Sequence, residues 1–165
     1  DRFHADGAHG ILPKRSTKNS AGYDFFAIED VEIPPIGKDY VVAAVSTVNT
    51  GFHAILDTKP FCIKTGVKAY MQDDEYLGMH IRSSMAVKKR IMLVNNVGII
   101  DADYYNNEDN EGHIMLALLN MGSESVALPK GERVAQGIFY NYLVADGDAE
   151  TEKEVRGGGF GSTSK

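Results

Sequence analysis

Leu77-Gly78-Met79-His80-Ile81 nearly alternates apolar and polar residues, the two-residue period of a strand with one face buried. Upstream, Val31-Glu32-Ile33 and Val67-Lys68-Ala69-Tyr70-Met71 show the same rhythm. Downstream, His113-Ile114-Met115-Leu116-Ala117-Leu118-Leu119 and Val134-Ala135-Gln136-Gly137-Ile138-Phe139-Tyr140 read as more fully buried strands. Turn signals at Pro34-Pro35, Asn120-Met121-Gly122 and Pro129-Lys130-Gly131 punctuate these runs. Helical periodicity is almost absent, so the expected fold class is all-β, a sandwich or barrel. One short helix is expected over residues 84–90, with Ser83 as its cap, Met85, Ala86 and Val87 following, and Lys88-Lys89-Arg90 suiting its C-terminal end.

A chain of 165 residues suits one folded unit. The net charge of -6, with basic residues scattered, argues against a nucleic-acid polymer as partner, because phosphate-backbone binding uses clustered Lys and Arg. A small anionic ligand stays open. The single cysteine, Cys62, excludes a disulfide within the chain, and its setting in Pro60-Phe61-Cys62-Ile63 suggests a small buried hydrophobe. The five histidines lack metal-ligand spacing. No run is long and apolar enough for a membrane span and no signal peptide is visible, while a start without Met suggests trimming. The expectation is a cytoplasmic protein without membrane contact.

Four segments carry chemistry. Arg156-Gly157-Gly158-Gly159-Phe160-Gly161-Ser162-Thr163-Ser164 combines a phosphate fork, a stacking ring and small hydroxyl donors on a glycine-rich backbone that is costly to order. It reads either as a loose terminus or as a segment that closes over a nucleotide. Asp101 and Asp103 follow the apolar Val97-Gly98-Ile99-Ile100, so a carboxylate leaves a strand as the chain turns; such a residue either stabilises the turn or does chemistry. Arg82-Ser83-Ser84, at a strand end and helix start, offers a guanidinium and two hydroxyls to phosphate. Gln136, inside an apolar strand, needs either a core partner or a ligand.

In order, these pieces resemble the five motifs of the trimeric dUTPases, including phage and Gram-positive bacterial members with inserted loops. Ala21-Gly22-Tyr23-Asp24-Phe25 resembles the first motif and Arg82-Ser83-Ser84-Met85-Ala86 the second. Gly98-Ile99-Ile100-Asp101-Ala102-Asp103-Tyr104 resembles the third, Gly131-Glu132-Arg133-Val134-Ala135-Gln136 the fourth, and the glycine-rich tail the fifth. The resemblance spans residues 12–164. It implies a jelly-roll-like protomer in a homotrimer with active sites at subunit contacts, and hydrolysis of dUTP to dUMP and pyrophosphate.

The same resemblance assigns roles. Asp101 would be the general base for water attacking the α-phosphorus, and Tyr104 would lie beneath the deoxyribose and exclude a 2′-hydroxyl. A hairpin over residues 95–100, with Asn95, Gly98 and Ile100, would read uracil. Arg82, Ser83, Ser84 and Gln136 would hold the triphosphate. From the tail, Arg156, Ser162 and Thr163 would grip its γ end, Phe160 would cover the uracil, and Gly161 would let the backbone approach. Mg²⁺ would be held by triphosphate oxygens and water, with no direct protein ligand and Asp24 as a water-mediated partner. The implied organisation is a β domain over 1–145 and an acidic linker with a lid over 146–165. A dCTP deaminase relative is the alternative within the fold, although those enzymes lack this tail and need another constellation to activate water against the base.

Departures from the pattern are local. Ser84 stands where the family has Gly, and Met85 where it has Leu. Insertions fall at about 42–59, including a turn at Asn49-Thr50-Gly51-Phe52, and at 105–111, which reads as acidic and exposed. Added loops close at little entropic cost, so they prove no function by themselves. They suggest decoration or, as an added role, a surface for a regulatory protein partner.

Overall fold

The computed structural model describes residues 1–5, 9–36, 59–148 and 152–153. In chain order these form β1 (Phe3–Ala5), β2 (Lys14–Arg15), β3 (Tyr23–Phe26), β4 (Val31–Ile33), β5 (Phe61–Lys64), β6 (Val67–Ala69) and β7 (Glu75–Ile81). There follow helix α1 (Ser83–Lys89), β8 (Ile91–Leu93), β9 (Gly98–Asp101), a 3-10 turn (Ala102–Tyr104), β10 (Met115–Asn120), β11 (Val126–Leu128) and β12 (Arg133–Asn141).

The fold is all-β and jelly-roll-like. A five-stranded sheet runs β2-β3-β12-β7-β9, a three-stranded sheet runs β5-β10-β8, and two-stranded pairs join β1 to β6 and β4 to β11. The strand at Leu77 is central: β7 pairs along its length with β12 on one side and with β9 on the other. Its buried middle, Leu77-Gly78-Met79, faces protein on both sides. In β10 the pattern is strict alternation instead, with Leu116 and Leu118 inward and Ala117 and Leu119 half-buried. A more fully buried strand was the expectation for β10; one layer of protein explains the difference, since a sheet packed on one face covers every second residue.

Phe25, Ile33, Ile63, Leu77, Met79, Ile91, Leu116, Leu118 and Val134 belong to one core cluster between the sheets. Met85 is the buried residue that seats α1 on this core. The helix begins one residue earlier than its sequence suggests. Arg82, extended at φ -69 and ψ 142, occupies the cap position, and no side chain caps the helix, so Ser83 is its first residue rather than its cap. Arg90 ends it in the left-handed region, its N–H donating to the Met85 carbonyl.

Cys62 differs from expectation too. In β5, Phe61 and Ile63 turn inward, so Cys62 and Lys64 face out, and the thiol is exposed. The local apolar run hides this parity, which the strand period sets. Among the described residues no helix is long and apolar enough to cross a membrane. The insertion at about 42–59, apart from Lys59, lies outside the described residues.

Leu118 lies fully buried between β5 and β8. Leu118→Ala should lower unfolding free energy by about 2–5 kcal/mol through lost burial and a residual cavity. Urea unfolding monitored by circular dichroism measures this; a change below about 1 kcal/mol would show the core at this point is not packed as described.

Candidate active site

Asp24 is an ionisable residue buried to 2% exposure at the centre of β3, facing Gln136 of β12 in register. Three hydrogen-bond donors and one further ion-pair partner meet its carboxylate. Arg82 Nε at 3.2 Å and Gln136 Nε2 at 3.1 Å reach Oδ1. Ser16 Oγ at 2.5 Å and Arg133 Nη1 at 3.2 Å reach Oδ2. Arg133 Nη1 also donates to Ser16 Oγ at 3.0 Å, closing the network.

The backbone explains the convergence. Residues 133 and 136 of a regular strand point to opposite faces, yet both meet Asp24. A bulge between Arg133 and Ala135 shifts the register against β3, and the added residue changes the parity. Arg82 is pinned where β7 ends, its N–H donating to the Val134 carbonyl at 3.1 Å. Gly22 leaves the room: a Cβ there would sit 3.0 Å from Cβ of Gln136 and 3.2 Å from its amide carbon.

Burial alone would raise the Asp24 pKa. Hydrogen bonds from Ser16, Gln136 and Arg133, with the charge of Arg82, outweigh it and hold the carboxyl below its ordinary value. Two guanidiniums then share one carboxylate. The cluster carries one net positive charge, and the Arg133 side chain is 46% exposed against 19% for Arg82. Such a group can receive phosphate oxygens without rearranging.

The second part of the site lies elsewhere. Asp101 ends β9 opposite Tyr76, near the start of β7, whereas Gln136 lies opposite His80. Asp24 is three strands across and four residues along from Asp101, which at about 4.8 Å per strand and 3.3 Å per residue is roughly 20 Å. Asp101 lines a cleft with Tyr70, Asp103, Tyr105, Tyr142 and Lys153.

Tyr104, in the 3-10 turn after β9, is 6% exposed, and its neighbour Tyr105 forms part of the cleft wall. The segment 95–100 is not a paired hairpin. It is a corner between sheets: β8 pairs with β10 and β9 with β7. Asn95 sits in the exposed turn, Gly98 is buried against Met79, and Ile100 is half-buried in β9. Because β9 is an edge strand among the described elements, alternate N–H and C=O groups turn away from β7. Ser83 is exposed and Ser84 half-buried at the start of α1, next to Arg82.

Arg156, Phe160, Gly161, Ser162 and Thr163 lie outside the described residues. Asp24 does not fit the water-mediated metal contact that the resemblance left open for it, because Oδ2 already accepts two hydrogen bonds, Oδ1 accepts one and is paired with Arg82, and the adjacent guanidiniums repel a cation. Among the described residues no group of three or more His, Cys, Asp or Glu could hold a metal ion. Sequence reading missed Ser16, which no local pattern marks, and gave no role to Arg133, although the fourth motif contains it. It also missed Asn107, which is buried in the insertion expected to be exposed.

Asp24→Asn keeps the shape but leaves two arginines without their counter-charge. Allowing for the exposure of Arg133, the loss at pH 7 should be about 1–3 kcal/mol in urea unfolding. A carboxyl with a depressed folded pKa contributes stability above its unfolded value near pH 4 and loses it as pH falls through the folded value. The gap between wild type and variant should therefore narrow progressively below about pH 4. A gap independent of pH would remove the charge of Asp24 from the account.

Three comparisons bear on this geometry. The sequence model of the dUTPase family matches residues 50–164. The chain is 49% identical over 152 residues to the deoxyuridine 5'-triphosphate nucleotidohydrolase of Lactococcus lactis, covering 92% of this chain and 87% of that protein. It is 33% identical over 165 residues to the corresponding Acinetobacter baumannii protein, covering 96% of this chain and 91% of that one. Among solved structures, the dUTPase from Streptococcus mutans is similar at a TM-score of 0.71 and 39% identity, covering 89% of this chain and all of that one. The dUTPase of Staphylococcus bacteriophage 80alpha, at 18% identity and TM-score 0.64, shares the fold over 88% of this chain and 92% of that one. With the first four of the ordered motifs falling at these two loci, the chain belongs to the dUTPase family of nucleotide hydrolases.

Proposed function

We propose that the chain hydrolyses dUTP to dUMP and pyrophosphate at sites completed between copies of itself, removing dUTP before DNA synthesis and supplying dUMP. The observation that carries this reading is the separation within one chain. Arg82, Arg133 and Gln136 gather on Asp24, while Asp101 stands roughly 20 Å away. A general base works within about 3 Å of the proton it takes, directly or through one water. The triphosphate grip must therefore come from a different protomer than the base, and a closed ring of three head-to-tail contacts supplies one such pairing per site.

At a completed site, Asp101 accepts a proton from water as the water oxygen attacks the α-phosphorus. The bond from that phosphorus to the bridging oxygen breaks, and pyrophosphate leaves with the electron pair. The guanidiniums of Arg82 and Arg133, the Gln136 amide and the hydroxyls of Ser83 and Ser84 hold the phosphate oxygens in line, so that positioning and charge supply most of the rate. Mg²⁺ arriving with the triphosphate would neutralise part of its charge; no described side chain is assigned to it. Outward-turned backbone groups of β9, with Asn95, Gly98 and Ile100 in or beside it, complement the uracil pattern of O2, N3–H and O4. The exposed remainder of the Tyr104 ring faces the deoxyribose and leaves a 2′-hydroxyl without room or partner. Segment 146–165 acts as linker and lid, with Arg156, Ser162 and Thr163 on the γ-phosphate, Phe160 over the base and Gly161 allowing the approach.

Pyrophosphate release from dUTP, dCTP, dTTP and UTP with Mg²⁺ tests the specificity. Turnover should be confined largely to dUTP, and equal rates on all four would contradict the assignment; ammonia release from dCTP would point to deamination instead. Asp101→Asn should lower kcat about 10²–10⁴-fold. Truncation after Val155 should cripple dUTP turnover while leaving circular dichroism and oligomer mass unchanged. Lost assembly in that variant would make the tail structural.

A further inference from the structure

The insertion after Tyr104 folds back onto that residue. Asn110 Nδ2 donates to the Tyr104 hydroxyl at 2.7 Å, and the hydroxyl donates to the His113 carbonyl at 3.0 Å. Both hydrogen-bonding directions of the phenol are thereby set. The Asn110 amide is itself oriented, because its Oδ1 accepts from Asn107 Nδ2 at 2.9 Å and from the Gly112 N–H at 3.1 Å. Asn107, 6% exposed, accepts the N–H groups of Asp109 and Asn110 on Oδ1 and donates Nδ2 to the Tyr104 carbonyl at 2.8 Å. The loop thus clasps Tyr104 at its backbone and at the far end of its ring.

Closure of that clasp has an independent requirement. Gly112 has φ 85, and a Cβ there would lie 2.7 Å from the Tyr104 carbonyl oxygen and 3.0 Å from the Asn106 nitrogen. Only glycine passes so close. A separate tether, Lys68 Nζ to Asn106 Oδ1 at 2.6 Å, ties the loop to β6 without touching Tyr104.

We propose that Asn110, oriented by Asn107, is a positioning residue that fixes the Tyr104 ring through its hydroxyl and so sets discrimination between deoxyribose and ribose nucleotides. This rests on the reading of Tyr104 as the surface beneath the sugar. With the hydroxyl fixed in both directions the ring resists the shift that would admit a 2′-hydroxyl, whereas without Asn110 it keeps only its bond to the His113 carbonyl and is freer to move.

The readout is the ratio of kcat/KM for dUTP to that for UTP, measured on the full chain. Asn110→Ala should lower this ratio about threefold to tenfold, mainly by raising UTP turnover, the size expected for one hydrogen bond. In a Tyr104→Phe background, which lacks the hydroxyl, adding Asn110→Ala should change the ratio less than about twofold. Lys68→Met, which loosens the loop away from Tyr104, should leave the ratio unchanged. An unchanged ratio in Asn110→Ala, an equal drop in Lys68→Met, or a full Asn110 effect without the hydroxyl would each overturn the proposal. Tyr104→Ala separates the two layers: if it leaves the ratio intact, the reading of Tyr104 fails; if it lowers the ratio while Asn110→Ala does not, only the positioning role fails.

Discussion

The carboxylate of Asp24 is the constraint around which one half of the candidate site is built. A buried ion requires partners, and this one has four, drawn from β3's neighbours and from the start of α1. Satisfying it fixes the bulge in β12, the small residue at Gly22 and the extended backbone at Arg82. The same contacts hold two arginines close together before any ligand arrives. Their mutual repulsion, which would otherwise splay them, is offset by one shared negative charge. The cluster thus remains cationic and ordered, the condition for binding phosphate at little reorganisation cost.

A sheet that orders this cluster also separates it from Asp101. Strand β7 connects the two loci, carrying Arg82 beyond one end and pairing with Asp101 near the other. No side chain spans that distance. Under the proposed shared site, oligomerisation becomes part of the chemistry: the separation within one copy would be bridged by a neighbouring copy that presents the missing half.

Much of the fold was legible from strand periodicity. Val31-Glu32-Ile33 coincides with β4, and the apolar runs near Leu77, Leu116 and Val134 fall within β7, β10 and β12. Parity inside short apolar runs was not legible, which is why Cys62 emerged outside rather than inside. The helix was found but displaced, because Ser83 looks like a cap while the observed cap position, at Arg82, is fixed by a bond to β12. For the site, ordered motifs marked Asp24, Arg82, Asp101, Tyr104 and Gln136. What joins them was hidden: Ser16 is distant in sequence, the bulge that turns Arg133 and Gln136 together depends on strand pairing, and the asparagines of the insertion look like ordinary surface residues until they fold onto Tyr104. Corners are equally cryptic, since residues 95–100 read as a hairpin and in fact pass between sheets.

The most direct measurement of the shared-site account is complementation in mixed oligomers. Asp101→Asn and Arg82→Ala proteins, each expected to be nearly inactive alone, are co-expressed with different tags, and the mixed species is purified through both. If base and triphosphate grip come from different protomers, the mixed species contains sites with an intact Asp101 and an intact Arg82, and dUTP hydrolysis returns to a substantial fraction of wild type. If each chain supplies both groups to its own site, every site carries a lesion, and mixed oligomers as inactive as their parents would contradict the account.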